Sequence, residues 1–307
     1  MCRILLCLDL TSESNLDIRS HRLMDFLKQS DHLRKHTPGI KNEHDHQTHT
    51  DGFGFAWYNN HRWYTYRNPL LYSRVPDLPK LIRRVSQYDF VLGHIRHASE
   101  SSERTLENTH PFYYRNHVFL HNGEIHGFPA KRNVVRNEID ADLRAEIKGQ
   151  TDSESFFYLF LSKLRGFSGP RVETLMMAFL ETIDFVESQF EWITLNVVVS
   201  DKTHTLVSRY CTPYGRHRPP SLYWNFPVDS PKRNLTTVDS PKRNLTTVGS
   251  SIPPEGLSGV FPKLIVSSEP IAHYQQTMVP ANTLMVIENQ TGNVSLSNIR
   301  HLRRMNS

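Results

Sequence analysis

The order of apolar patterns along the chain is the strongest constraint on its fold. Strand-like runs come first, at residues 4–8, 53–58, 62–66, 90–96 and 117–121. Two long helical periodicities follow, one opening at Asp152 and one running from about Pro170 to Phe190, and more strand-like runs come after them. Because strands and helices are segregated in blocks, we expect packed α and β layers, an α+β fold, rather than alternating parallel units.

Cysteine usage and hydropathy exclude two large classes of protein. The 307 residues include three cysteines, too few for a disulfide framework and without zinc-finger spacing. Apolar runs stay far below the roughly 18 residues of a membrane helix. The first apolar stretch ends at Asp9, so it is shorter than the about 7–15 residues of a secretory signal. We therefore predict a soluble, cytoplasmic protein that does not bind membranes.

The chain is mildly basic, with a formal charge of +5 and a pI of about 9.1. Its basic residues form short clusters at 131–136, 232–233, 242–243 and 303–304. These clusters are not a long stripe interleaved with aromatic residues, the pattern that marks a nucleic-acid-binding surface. A charge excess of this size is common on a solvated surface. A basic nucleic-acid binder is therefore the weaker alternative.

Residues 213–262 differ in composition from the rest of the chain. This stretch holds half of the 18 prolines and a tandem copy of the decapeptide DSPKRNLTTV, at 229–238 and 239–248. Ten residues are too few for a solenoid unit. We interpret the stretch as a proline-rich, duplicated surface loop.

A histidine-rich stretch, His44 to Asp51, has residue types that could ligate zinc or nickel. Its flanks are polar and offer no framework that would fix a coordination geometry. We predict no metal site there and no cofactor elsewhere.

Cys2 is the first residue that could carry chemistry. If the initiator Met1 is removed, the Cys2 thiol lies beside a free α-amine, whose pKa is about 7.7–8.0 in model peptides. Such an amine can take the thiol proton, as in enzymes that pair a nucleophile with the chain terminus. A cysteine at position 2 is a weak signal alone, so its meaning depends on the rest of the sequence.

Several short motifs accompany Cys2 in a fixed order. Met-Cys-Arg at the N-terminus is followed by the segments Asp51-Gly52-Phe53-Gly54, His94-Ile95-Arg96, Asn108-Thr109-His110-Pro111-Phe112, His121-Asn122-Gly123-Glu124, Asp152-Ser153-Glu154, Ser267-Ser268-Glu269-Pro270 and Val279-Pro280-Ala281-Asn282. This set resembles the class II glutamine amidotransferases, which are N-terminal-nucleophile hydrolases. The resemblance is strongest to the subgroup with the fungal amidotransferase-like subunit of glutathione degradation and its bacterial relatives.

The resemblance implies a fold, a reaction and a set of site residues. The fold is a four-layer αββα sandwich of the N-terminal-nucleophile hydrolase type, one glutamine amidotransferase type 2 domain over residues 1–307. The reaction is hydrolysis of a γ-glutamyl amide, in glutamine, glutathione or a related compound, through a thioester on Cys2. The oxyanion donors would be the Asn122 side chain and the Gly123 N–H. Substrate-binding residues would be Arg96 and Ser99 for the α-carboxylate and Asp152 for the α-ammonium. The resemblance also suggests a metallopeptidase-like partner subunit.

Simpler interpretations of the same residues stay open. Arg96 could be a surface charge at a strand end, and Asp152 could be a helix cap. His94 and His110 read as hydrogen-bonding residues of a strand and a turn, and Asp51 as part of a turn. A catalytically silent assembly subunit would keep the same motifs. One departure from the family is Glu100-Ser101, where a glycine often stands, so the shape of the carboxylate pocket is open.

Overall fold

Two large sheets organise the chain. The computed structural model describes residues 2–11, 15–30, 51–98, 103–213, 215–225 and 257–305. The strands in these residues are β1 (Arg3–Asp9), β2 (Phe53–Asn59), β3 (Arg62–Asn68), β4 (Phe90–Ile95), β5 (Phe112–Tyr114), β6 (His117–Ile125), β7 (Ile193–Ser200), β8 (His204–Thr212), β9 (Tyr223–Asn225), β10 (Leu257–Val260), β11 (Lys263–Ser267), β12 (Gln276–Met278), β13 (Thr283–Glu288) and β14 (Asn293–Asn298). The helices are α1 (Leu16–Lys28), α2 (Leu78–Val85), α3 (Phe128–Asn137), α4 (Ala141–Arg144), α5 (Asp152–Arg165), α6 (Arg171–Gln189) and α7 (Ile299–Met305), with a short 3-10 turn at Tyr72–Arg74.

Within the described residues, each sheet has seven strands, all paired antiparallel. Sheet A has the order β12-β9-β11-β1-β4-β2-β3, and sheet B the order β10-β14-β13-β8-β7-β6-β5. The N-terminal strand β1 lies in the middle of sheet A, between β11 and β4. The first residues of the chain are therefore held by neighbours on both sides.

Strand alternation sorts the core into three apolar layers. In β1, Ile4, Leu6 and Leu8 pack between the sheets, whereas Leu5 and Cys7 pack against α1 and α2. The third layer lies between sheet B and the helices α5 and α6. The order helices, sheet A, sheet B, helices confirms the four-layer αββα sandwich and the α+β class.

Most predicted elements are present, with some shifts in their ends. The hairpin of β2 and β3 turns at Asn60 and His61, both with positive φ, as the polar turn signal indicates. Strand β6 is longer than the sequence suggests, so Asn122 and Gly123 lie inside the strand rather than after it. Within sheet B, β6 pairs with β7 from Val118 to Ile125, and this pairing extends the strand.

The proline-rich stretch 213–262 is not a surface loop throughout. Pro219 to Leu222 are buried, and β9 and β10 form its two flanks. The duplicated decapeptide at 229–248 lies outside the described residues. Across the described part of the chain, every helix is too short or too polar to span a bilayer.

Candidate active site

Cys2 and Arg96 lie at the same end of the layer between the sheets. The pairing of β1 with β4 places Arg3 opposite Ile95, so one further step brings Cys2 opposite Arg96. Alternation from Ile4 and Leu6 directs the Cys2 side chain toward sheet B. Cys2 as a whole residue is half-buried, and Arg96 is buried. A thiol and a cation therefore lie together where the apolar layer ends.

The backbone of His97 holds the Cys2 sulfur. The His97 N–H lies 3.3 Å from Sγ, and Sγ lies 3.6 Å from the His97 carbonyl oxygen. Burial raises the pKa of the Cys2 thiol, and the His97 N–H and the Arg96 guanidinium act against that shift. The thiol is therefore protonated at neutral pH, and its reaction needs a base.

Ser268 joins the start of β1 to Asn122. Its hydroxyl oxygen accepts the Ile4 N–H at 2.9 Å and an Asn122 side-chain N–H at 3.2 Å. The Ser268 N–H in turn donates to the Ile4 carbonyl at 2.9 Å. Ser268 is fully buried. Ser268 therefore orients the Asn122 amide relative to the strand that follows Cys2. The sequence motif Ser267-Ser268-Glu269-Pro270 contains this residue, but the motif alone assigned it no role.

Gly123 is at a position that leaves no room for a side chain. A Cβ there would lie 1.9 Å from the Thr194 carbonyl oxygen and 2.5 Å from His121 Nε2. The neighbouring strand β7 therefore requires glycine, which keeps the backbone of residue 123 uncovered by any side chain of its own. This agrees with the close backbone approach expected of an oxyanion donor.

Asp152 begins α5 but does not cap it. The cap is Thr151, whose hydroxyl accepts the Glu154 N–H at 3.1 Å. One Asp152 oxygen accepts the Ile125 N–H at 2.9 Å, and the other accepts the Ser153 N–H at 2.7 Å. Its negative charge is one of the groups that raise the pKa of Cys2, after burial. Asp152 thus lies within electrostatic reach of the thiol and is tied to β6 beyond Gly123.

Arg96 is a buried charge, not a surface residue. Its backbone N–H donates to the Gly52 carbonyl at 2.8 Å, and its Nη1 lies 3.5 Å from the Asp51 carbonyl. The Asp51 carboxylate accepts the Ala98 N–H at 2.8 Å and pairs with Arg104 Nε at 2.7 Å. Burial lowers the pKa of Arg96, and Cys2 and Asp51 oppose that shift. Asp51 therefore has the structural role expected of it, and it fixes the chain beyond Arg96.

Three buried histidines lie behind the site. His94 Nε2 donates to the His121 carbonyl at 3.0 Å, so a side chain of sheet A holds the residue before Asn122 in sheet B. Burial lowers the pKa of His94 to about 3 and that of His110, stacked on it at 4.0 Å, well below its usual range. His121 Nε2 donates to the Thr194 carbonyl at 3.0 Å, and its Nδ1 accepts from Ser153 at 2.9 Å. The hydrogen bond of His94 agrees with its interpretation as a hydrogen-bonding strand residue. The same interpretation of His110 is wrong: both its ring nitrogens are buried without a hydrogen-bond partner among the described residues, and the ring packs by stacking on His94 and against Phe112.

Some predicted residues cannot be placed. Ser99, Met1 and the stretch from His44 to His49 lie outside the described residues. In the described ranges, His, Cys, Asp and Glu side chains do not form a group of three or more that could hold a metal ion.

Comparison with known proteins shows the family of the chain. A profile described as glutamine amidotransferases class-II matches residues 35–213. The probable glutamine amidotransferase DUG3 of Saccharomyces cerevisiae is 31% identical over 186 residues, which cover 53% of this chain and 52% of that protein. The putative glutamine amidotransferase YafJ of Escherichia coli is 28% identical over 173 residues, covering 53% and 61%. The chain thus matches about half to three fifths of the length of these relatives.

Solved structures share the fold. A glutamine aminotransferase class-II domain protein from Silicibacter pomeroyi superposes with a TM-score of 0.52 and 21% identity, over 80% of this chain and 90% of that one. The glutamine phosphoribosylpyrophosphate amidotransferase of B. subtilis gives a TM-score of 0.58 and 13% identity, over 97% of this chain and 49% of that one. At these identities the likeness concerns the fold, which is that of the N-terminal-nucleophile hydrolases.

Proposed function

The chain belongs to the class II glutamine amidotransferases, and from that premise we propose that it hydrolyses γ-glutamyl amides through an N-terminal cysteine. The substrate class is glutamine, glutathione or a related γ-glutamyl compound. The observation that carries the proposal is the meeting of the Cys2 thiol, the buried Arg96 and the Asn122-Gly123 pair at one end of the layer between the sheets.

The proposed first step needs Met1 to be absent, so that Cys2 carries a free α-amine. The amine takes the thiol proton, and the sulfur attacks the γ-carbonyl carbon. The Asn122 side-chain N–H and the Gly123 N–H stabilise the oxyanion. The C–N bond then breaks, the leaving amine takes a proton, and a thioester remains on Cys2. Water cleaves the thioester, which releases glutamate and restores the thiol.

The amino-acid end of the substrate is zwitterionic and requires two charges. Arg96 supplies a planar cation for the α-carboxylate, with Ser99 as its proposed helper. Asp152 supplies the anion for the α-ammonium. The Arg96 guanidinium lies 3.5 Å from the Asp51 carbonyl, and the Asp152 carboxylate accepts the Ile125 N–H of β6, so both groups are oriented before the substrate binds.

The test combines the state of the N-terminus with turnover. N-terminal sequencing of the mature protein should find Cys2 first, and the protein should release glutamate from glutamine or a γ-glutamyl compound. Cys2→Ala should lower kcat by more than about 10³-fold. Cys7→Ala, which removes a thiol from the opposite face of β1, is the matched control and should keep activity. Full activity in Cys2→Ala would disprove the mechanism, and retained Met1 without glutamate release would indicate a silent assembly subunit. The metallopeptidase-like partner and the cytoplasmic location stay predictions.

A further inference from the structure

Sheet B continues past Asn122 as a ladder of side chains on the same face. The inward positions of β6, β7 and β8 fall in register, because Asn122 lies opposite Asn196 and Asn196 opposite Arg209. Val118 and Leu120 of the same face lie in the layer between the sheets, which fixes the direction of these side chains. The next row out consists of Glu124, Thr194 and Cys211.

A third row is formed by an aromatic stack. The His126 N–H donates to the Trp192 carbonyl at 3.1 Å, so the pairing of the two strands continues one step past β6. The Trp192 ring lies between the rings of His126 and His217, with centroids 4.7 Å apart on both sides and planes tilted by 15° and 16°. The stack is fixed from a third element, since the Cys211 thiol donates to the His217 carbonyl at 3.3 Å.

The side chains of the first row are covered, whereas those of the second and third rows on β6 are accessible to solvent. In the first row, Asn196 and Arg209 donate to carbonyls of residues 219–221, so that segment covers them. The side chains of Glu124 and His126 keep 58% and 49% of their surface exposed, and Glu124 Oε1 lies 3.7 Å from His126 Nδ1. Beyond the oxyanion pair, the face is therefore open on the β6 side.

We propose that Glu124 and His126, with the His126 ring held by the stack of Trp192 and His217, bind the amine part of γ-glutamyl amides whose amine carries a flat group; these four residues are here called the leaving-group rim. This inference rests on the proposed function. Arg96 and Asp152 would fix the glutamyl end, so the amine part must leave the bond in another direction. With a strand rise of about 3.3 Å per residue, Glu124 lies about 7 Å and His126 about 13 Å beyond Asn122. An amine the size of an aniline or an amino acid spans the first of these distances, whereas ammonia does not. A group that reaches Glu124 also reaches the His126 ring, because His126 Nδ1 lies 3.7 Å from Glu124 Oε1.

The chemistry of the rim matches such a group. The Glu124 carboxylate can accept the amide N–H of the bond that is broken, and the exposed face of His126 offers a flat surface for a ring. Because His126 and His217 cover both faces of Trp192, the indole acts by holding His126 in place. Trp192 is therefore a positioning residue, and His126 is the residue that touches the ligand.

Two substrates separate the rim from the glutamyl pocket. L-γ-glutamyl-p-nitroanilide carries a flat leaving group, and glutamine carries none. His126→Ala and Trp192→Ala should lower kcat/KM for the anilide about 3- to 10-fold and change it less than about twofold for glutamine. Trp192→Phe, which keeps a stacked ring, should restore most of the loss. Equal losses on both substrates, or no loss on the anilide, would overturn the proposal.

A binding measurement makes the two proposals fail in different ways. Calorimetry with the Cys2→Ala enzyme gives the Kd of the anilide without turnover, and the same variant with Trp192→Ala should bind it about 3- to 10-fold more weakly. L-glutamate, which has no leaving group, should bind both variants equally. If the wild type hydrolyses neither substrate, the proposed function is wrong, and the rim is supported or refuted by these Kd values alone.

Discussion

Removing the Ser268 hydroxyl tests whether the Asn122 amide is oriented by its neighbour. Ser268→Ala deletes one oxygen that accepts two hydrogen bonds, from the Ile4 N–H at 2.9 Å and from Asn122 Nδ2 at 3.2 Å. The site is fully buried, so water cannot easily replace the missing acceptor. Two consequences follow, one for stability and one for turnover.

The stability cost comes from the Ile4 N–H. A buried donor left without a partner costs about 1–3 kcal/mol. For a chain of this size, each kcal/mol lowers Tm by about 2–4 °C, so we expect a fall of roughly 2–12 °C by calorimetry. The turnover cost comes from the Asn122 amide, which stays present but loses its anchor. We expect kcat for glutamate release to fall about 10-fold, less than the about 10²–10³-fold typical of deleting an oxyanion donor.

Ser267→Ala is the matched control. Ser267 is equally buried, but its register position opposite Leu5 places it on the helix side of sheet A. Its hydroxyl accepts one hydrogen bond, from the half-buried Gln276 at 3.2 Å. This variant should lose less than about 1 kcal/mol and keep kcat.

A double-mutant cycle separates orientation from general damage. If Ser268 acts through Asn122, then Ser268→Ala should lower kcat in the wild type and have no further effect when Asn122 is already alanine. Its effect on Tm should persist in both backgrounds, since the Ile4 N–H is unsatisfied in each. Additive losses in kcat, or an equal loss in Ser267→Ala, would refute the assignment.

Three further predictions concern single residues. Gly123→Ala should lower both stability and kcat, because its Cβ would meet the Thr194 carbonyl at 1.9 Å; Gly166→Ala, with its nearest atom at 3.3 Å, should change kcat little. Asp152→Asn should raise KM for γ-glutamyl substrates at least about 10-fold, whereas Thr151→Ala, which removes only the helix cap, should cost about 1 kcal/mol and leave KM unchanged. Because burial lowers the pKa of His94 to about 3, the unfolded chain takes up this proton first as pH falls. The contribution of the neutral, buried His94 to the free energy of unfolding is full above about pH 6.5 and falls by about 3 kcal/mol by pH 4. His94→Gln should remove that part of the pH dependence in urea unfolding.

Local sequence patterns were sufficient to predict the strands and helices whose apolar residues recur at a regular spacing. The β2–β3 hairpin, α5 and α6 follow from apolar spacing and from residues at their turns and ends, since these signals lie within a few residues of each other. Short elements such as β5, β9 and β12 have only three residues each and have no period to detect. Their strand geometry comes from partners far away in sequence, as with Tyr223 beside Ser267.

The residues of the candidate site also fall into two groups: those that a local sequence motif reveals and those that act through partners far away in the sequence. Cys2, Arg96, Asn122 and Asp152 stand out as motifs, because each is a reactive or charged residue in a characteristic short context. The hydroxyl of Ser268 and the His94 imidazole act through partners 146 and 27 residues away, and no spacing rule connects such pairs. Asp152 could be taken for a cap from sequence, and only the Thr151 hydroxyl contact shows that another residue has that role.

The position of the cleft follows from a change that six strands make at one level. On the face between the sheets, the side chains of each strand change from apolar to polar toward the same end of the layer. The changes are from Ile4 to Cys2 at the start of β1, from Leu92 to His94 and Arg96 at the end of β4, from Leu120 to Asn122 in β6, from Val198 to Asn196 in β7, from Val207 to Arg209 in β8, and from Val266 to Ser268 at the end of β11. Buried polar groups are costly unless they are hydrogen-bonded. Asn122 donates to Ser268 across the layer, whereas Asn196 and Arg209 donate to carbonyls of residues 219–221. In a single strand, the same change is indistinguishable from an ordinary strand end. Antiparallel pairing brings these six strand ends together, and together they form one polar cleft. The Cys2 thiol lies at the start of β1, the middle strand of sheet A.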